Sequence, residues 1–107
     1  MAFYIKQNDT SPSLQATLKD GADNAVDLTA ATVRFHMRQL GSQTVKVDSA
    51  ATVSDADNGV VYYQWSASDT DTIGSFEAEF EVTFSGGEIE SFPNNRFIQV
   101  EITDDIA

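Results

Sequence analysis

Phe76-Glu77-Ala78-Glu79-Phe80-Glu81-Val82-Thr83-Phe84 alternates without interruption between apolar and polar residues. Side chains of an extended chain repeat every two residues, so Phe76, Ala78, Phe80, Val82 and Phe84 share one face and Glu77, Glu79, Glu81 and Thr83 the other. A helix would scatter the phenylalanines around its circumference and leave no polar side for water. The stretch is a half-buried strand. Working outward, Leu14, Ala16 and Leu18, then Val33, Phe35 and Met37, then Val45 and Val47, and finally Ile98, Val100 and Ile102 each predict a strand with one inward face. Val60-Val61-Tyr62-Tyr63-Gln64-Trp65 carries bulk on both faces. Val61, Tyr63 and Trp65 are read as inward, which leaves Val60 and Tyr62 for an external contact.

Turn chemistry separates these runs. Asp20-Gly21-Ala22-Asp23-Asn24, Leu40-Gly41-Ser42, Asp55-Ala56-Asp57-Asn58-Gly59 and Pro93-Asn94-Asn95 suit loops. Ser85-Gly86-Gly87-Glu88 predicts a hairpin between the long strand and Ile89-Glu90-Ser91-Phe92, because glycine accepts the positive φ that tight turns need. Only Ser66 to Thr72 could hold a helical turn. Short strands recurring about every ten residues without helices point to an all-β fold, an immunoglobulin-like antiparallel β-sandwich of about seven to nine strands. In Asp71-Thr72-Ile73-Gly74-Ser75-Phe76 an Asp and a Gly precede an aromatic at the start of the long strand, laid out like the corner where such sandwiches enter their sixth strand. Phe76 stands where a tyrosine would be, so the hydroxyl bond of a tyrosine corner cannot form.

The 107 residues predict one domain spanning 1–107, with material for a single core. Seventeen acidic residues against six basic ones leave a net charge of −11, and a surface of that sign repels a phosphate backbone. Nucleic acid is therefore not the expected partner. No cysteine is present, which removes disulfides, thiolate metal sites and cysteine nucleophiles. The opening Met1-Ala2-Phe3-Tyr4-Ile5-Lys6 leads straight into polar residues, without the apolar run of a signal peptide or membrane span, so no membrane is expected as a partner.

Candidate chemistry is sparse. His36 is the single histidine and lies on the polar face between Arg34 and Arg38, where contact with the Glu77, Glu79 and Glu81 row is the simplest role. That row could be imagined as paired carboxylates for glycoside hydrolysis, but same-face neighbours stand about 7 Å apart on a flat strand with no cleft to shift a pKa. It is read as a solvated face or as a docking face for a basic partner. Asp55-Ala56-Asp57-Asn58-Gly59 places oxygens at calcium-like spacing but lacks the downstream glutamate of an EF-hand, and the same residues make an ordinary turn. Asp69, Asp71, Asp104 and Asp105 invite the same guess on no better grounds. No metal, no cofactor and no catalytic residue is assigned, and the chain is expected not to be an enzyme.

Two stretches carry a family likeness. Lys6-Gln7-Asn8-Asp9-Thr10-Ser11-Pro12 with Val26-Asp27-Leu28-Thr29, and then Phe80-Glu81-Val82-Thr83-Phe84, resemble the N-terminal domain of the baseplate upper protein family of tailed bacteriophages. The resemblance spans nearly the whole chain. It implies a virion structural role, in which the β-domain attaches to the particle and longer chains add regions that hold receptor-binding proteins. Here the sequence stops at Ile106-Ala107 after the last strand, which favours an attachment or decoration module over a receptor-binding scaffold.

The expectation is a non-enzymatic, multicopy structural protein of a phage virion, assembled in the host cytoplasm, attached at the tail tip or baseplate and contacting other virion proteins or copies of itself. Capsid decoration is the alternative. A carbohydrate-binding module, with Trp65, Tyr62 and Tyr63 as stacking rings, is a third. Candidate contact residues are Phe3, Tyr4 and Ile5, whose consecutive bulk exceeds what one face buries, together with Val60 and Tyr62 and with Glu77, Glu79 and Glu81. The opening segment is alternatively an ordinary edge strand.

Overall fold

The computed structural model describes residues 2–106; Met1 and Ala107, the ends of the expected 1–107 span, lie outside them. Nine strands and one short 3-10 helix follow in order: β1 Ala2–Lys6, β2 Leu14–Thr17, β3 Thr32–Gln39, β4 Val45–Ala50, β5 Thr52–Asp55, β6 Val60–Tyr63, the 3-10 helix Ala67–Thr70, β7 Gly74–Thr83, β8 Ile89–Phe92 and β9 Ile98–Thr103. The larger sheet has the order β1-β9-β7-β3-β4, with β8 also on β7, and the smaller has the order β2-β6-β5. The arrangement is an all-β sandwich of the immunoglobulin-like kind. The expectation of an antiparallel fold needs one correction: β1 runs parallel to β9, pairing Ala2 with Gln99 through Lys6 with Thr103. Alternation identifies a strand's faces but carries nothing about which strand lies beside it.

β7 is the axis of the larger sheet. Along one side it pairs with β3 from Phe76 to Thr83. Along the other side its first half pairs with β9 and its second half with β8, so Ala78 faces Ile98 and Phe80 faces Phe92. Residues 93–97 leave the sheet between those two contacts. The hairpin into β8 is the one the glycines predict: Gly87 has φ +94°, its N–H donates to Phe84 O, and Phe84 N–H donates to Glu88 O.

The core lies where the sheets face each other. Phe76, Ala78, Phe80 and Val82 of β7, Val33, Phe35 and Met37 of β3, and Val100 and Ile102 of β9 are buried against Leu14, Val61, Tyr63 and Trp65. Phe35 stacks on Tyr63 with centroids 4.3 Å apart and meets Trp65 edge-on at 5.5 Å, so one aromatic cluster spans both layers. Val61, Tyr63 and Trp65 point inward as read, while Val60 and Tyr62 are half-buried on the outside.

Val45 departs from expectation. Alternation places it inward with Val47, yet it is 57% exposed. Met37 pairs with Val47 and Arg38 with Val45, so Lys46 is an extra residue on β4 and this bulge turns Val45 to the outer face. The Asp55 to Gly59 loop is a turn built on its own contacts. Asn58 Nδ2 donates to Asp55 Oδ2 at 2.8 Å, and Leu18 N–H donates to Gly59 O at 2.8 Å. Gly59 sits at φ +69°, and a Cβ there would lie 2.7 Å from Leu18 O, which only glycine avoids.

The two faces of β7 should respond very differently to truncation. Phe80 is fully buried against Phe35, so Phe80→Ala is expected to cost about 3–5 kcal/mol in chemical denaturation. Glu79→Ala, at a partly exposed ion pair, is expected to cost about 1 kcal/mol or less. Equal costs would mean that the faces are reversed.

Candidate attachment surface

The outer face of the larger sheet is a lattice of ion pairs. β3 and β7 align Arg38 with Glu77, His36 with Glu79 and Arg34 with Glu81. Arg38 Nε donates to Glu77 Oε1 at 3.1 Å, and the guanidinium also lies 5.1 Å from the centre of the Phe97 ring. The His36 ring bridges two strands, with Nδ1 3.1 Å from Glu79 Oε2 and Nε2 3.2 Å from Asp48 Oδ1. Arg34 turns away from Glu81 and donates from Nε to Asp48 Oδ1 at 2.7 Å. That bond, with the Arg34 charge beside it, holds the Asp48 carboxyl below the usual carboxylate range. Two of the three glutamates are therefore committed within the molecule, and Glu81 alone of the row has no cationic partner among the described residues. The contact expected between His36 and the glutamate row is present.

The outer face of the smaller sheet is different in kind. Gln15, Tyr62 and Thr52 form one cross-strand row and Thr17, Val60 and Asp55 the next. Five of these six residues are uncharged on a chain of net charge −11. Val60 and Tyr62 give this face its apolar content.

Phe3, Tyr4 and Ile5 divide as an edge strand divides. Ile5 is buried, Phe3 is half-buried and stacks on Trp65 with centroids 5.8 Å apart, and Tyr4 is 66% exposed on the outer face beside Glu101. The edge-strand reading describes how β1 sits. Glu101 accepts from Gln99 Nε2 and from Ser75 Oγ, which keeps its carboxyl below the usual range.

Two of the three rings that could stack on a sugar, Tyr63 and Trp65, are core. Trp65 is 3% exposed and packed among Phe3, Phe35 and Tyr63. Tyr63 is buried, and its hydroxyl donates to Asp69 Oδ2 at 2.6 Å, tying the 3-10 helix to the core. Only Tyr62 of the three reaches the surface. An aromatic side chain is equally suited to a core and to a sugar platform, so residue type could not separate the two.

Several surface features escaped the sequence reading. Phe97, 44% exposed, projects from the 93–97 excursion, and Leu40, Ile73 and Ile89 are exposed at strand ends. A groove of about 540 Å³ runs between β2 and the excursion, with Lys19, Asp20, Asp23 and Arg96 on its rim and Leu18, Phe92 and Ile98 in its wall. Among the described residues, no group of three or more His, Asp or Glu side chains is placed to hold a metal ion.

A sandwich whose largest face is internally paired, with β1 parallel to the last strand, can be set beside known proteins. The model of the BppU N-terminal domain, the baseplate upper protein domain, matches residues 2–105. The chain belongs to this family. Its fold is similar to the N-terminal domain of phage TP901-1 ORF48, with a TM-score of 0.66 at 17% identity, covering 95% of this chain and 84% of that one. It is also similar to CopC from Methylosinus trichosporium OB3b, with a TM-score of 0.51 at 11% identity, covering 99% and 87%. At such identities these two likenesses speak for the fold alone. No curated protein matches the sequence. Membership in the family makes the chain a structural component of the phage baseplate, in contact with other virion proteins, and argues against an enzymatic role.

Two spectroscopic outcomes check the interior placement of the rings. Burial, with the Asp69 hydrogen bond adding to it, pushes the Tyr63 phenol up to about 12. A raised folded-state pKa stabilises the fold fully below the ordinary tyrosine range near pH 10, and that stability is lost as pH rises towards 12. In ultraviolet titration, Tyr63 should ionise only with alkaline unfolding, and Tyr63→Phe should remove that late step. Trp65 emission should be blue-shifted and protected from a soluble quencher; red-shifted, quenchable emission would restore the sugar platform.

Proposed function

We propose that this chain is a multicopy attachment module of the baseplate, joined to neighbouring virion proteins through β1 and through the Val60 and Tyr62 face. The observation that carries this reading is the unequal state of its surfaces. Two glutamates of the row, Glu77 and Glu79, already have partners in place, at 3.1 Å for both Arg38–Glu77 and His36–Glu79, so docking a basic partner on them would first break bonds within the sheet. Tyr4, Val60 and Tyr62 carry no such internal pairing. Tyr62 lies between uncharged Gln15 and Thr52, the composition of an interface centre, while Glu101 beside Tyr4 and Asp55 beside Val60 supply a charged margin. The acidic remainder keeps copies soluble and apart until they are placed in the particle. Assembly in the host cytoplasm and a place in the finished virion follow from that role.

A map of the intact particle tests the location. Density for this fold at the tail tip is the expected result, and density on capsid symmetry axes would replace attachment by shell decoration. Val60→Asp tests the surface. It places a charge at the centre of the proposed contact and should lower incorporation into particles by about tenfold or more while leaving the circular dichroism spectrum unchanged. Undiminished incorporation would remove this face from the proposal.

A further inference from the structure

Among the described residues, β1 is the edge strand with neither a bulge nor a neighbouring proline, and its one protective charge, Lys6, stands at its end. The open edge of β4 carries the Lys46 bulge and that of β5 a bulge at Ser54, devices that twist an edge away from a neighbour. β2 and β8 are four residues long and adjoin Pro12 and Pro93. β1 has five residues in unbroken register with β9, no proline and no bulge.

Gln7 N–H donates to Thr103 O, so it points at β9. Amide and carbonyl groups alternate sides along a strand, which places those of Phe3 and Ile5 towards β9 and those of Ala2, Tyr4 and Lys6 towards the open edge. Lys6 O accepts from Asp9 N–H within the following turn. Tyr4 N–H and O have no partner among the described residues, and the Tyr4 ring beside them is 66% exposed.

We infer that the free edge of β1 pairs with β1 of a second copy, antiparallel and centred on Tyr4. This rests on the attachment reading above and adds a partner and a register to it. Centring on Tyr4 sets Tyr4 opposite Tyr4, Phe3 opposite Ile5 and Ala2 opposite Lys6. The facing residues whose groups point outward are Tyr4 with Tyr4, which exchange both hydrogen bonds, and Ala2 with Lys6, where Lys6 N–H is free to donate and Lys6 O already accepts from Asp9 N–H. Phe3 and Ile5 meet on the inward face, apolar against apolar, and the two tyrosines lie side by side on the outward face. No like charges stand directly opposite, because Lys6 faces Ala2.

Charge selects the antiparallel arrangement over the parallel one. Asp104 and Asp105 follow β9 at the Lys6 end, and Lys6 Nζ reaches Asp104 O at 3.4 Å. Antiparallel pairing puts the two acidic ends at opposite ends of the joint, whereas parallel pairing would set them side by side. The Glu101 side chains would stand three strand spacings apart, about 14 Å, beyond the screening length of about 8 Å at physiological salt. The joint has two-fold symmetry and closes on itself, so it yields pairs and not filaments.

The experiment uses the chain itself. Its weight-average mass in sedimentation equilibrium should rise with concentration from 11.7 kDa towards twice that value. Tyr4→Pro removes a donor that faces only the open edge, so β1 and β9 stay paired and the dimer should weaken by about tenfold or more. Tyr4→Lys, which opposes two like charges without touching the backbone, should do the same and covers the case in which the proline variant does not fold. The native chain has no cysteine, so engineered ones report geometry directly. In a hydrogen-bonded antiparallel pair the facing Cα atoms are about 5.5 Å apart, within disulfide range. Tyr4→Cys should therefore cross-link on oxidation, and Glu101→Cys should not. A single-chain mass up to millimolar concentration without Tyr4→Cys cross-linking overturns the pairing, as does a dimer undiminished in folded Tyr4→Lys. If the chain is monomeric and Tyr4→Lys is nevertheless lost from particles, self-pairing is overturned and the edge belongs to a strand of another virion protein, with the attachment reading intact.

Discussion

The contact between Phe35 and Tyr63 joins the two layers of this sandwich. Phe35 comes from an interior strand of the larger sheet and Tyr63 from the central strand of the smaller one, and their rings stack 4.3 Å apart. Phe80 tilts against Phe35 from the next strand, and Trp65 meets both Phe35 and Tyr63 edge-on. Without a disulfide, this packing is what holds the sheets face to face. It also constrains the periphery: the Tyr63 hydroxyl holds Asp69, Asp69 Oδ2 accepts from Ser66 N–H, and Thr70 O accepts from Asn8 N–H just beyond β1. The placement of the edge strand is thus connected to the core through Tyr63, Asp69, Thr70 and Asn8.

Alternation made much of this architecture readable. In β7, β3 and β6 the inward residues are those that the period of two selects, since each strand has one face on the core and one towards solvent. Where the reading fails, the cause is a relation between strands. Val45 alternates correctly with Val47, but the Lys46 bulge depends on how β4 meets β3. The parallel course of β1 depends on β9, nearly the whole chain away. Contact order of this kind leaves no local trace in the residues themselves.

The candidate surface was legible in part. The contact of His36 with the glutamate row follows from the composition of two strands, although only the register shows that Asp48 takes the second ring nitrogen and draws Arg34 away from Glu81. The consecutive bulk of Phe3, Tyr4 and Ile5 signalled a strand with more apolar area than one face could use. The parallel partner explains the division: Ile5 and Phe3 face inward, and Tyr4 has only its own sheet's outer face. Trp65 is the opposite case, a residue that looks functional by type and is consumed by packing.

The parallel pairing of β1 with β9 has a mechanical meaning. Because the two strands run the same way, the chain enters at the Ala2 end of the pair and leaves at the Thr103 end. Tension applied between those points acts along the strands in shear, stretching the β1–β9 hydrogen bonds together; an antiparallel hairpin pulled from its open end would lose them one at a time. Resistance to force is a matter of unfolding rate and not of equilibrium stability. In this geometry a pull between the two ends loads the β1–β9 hydrogen bonds together instead of peeling them in turn.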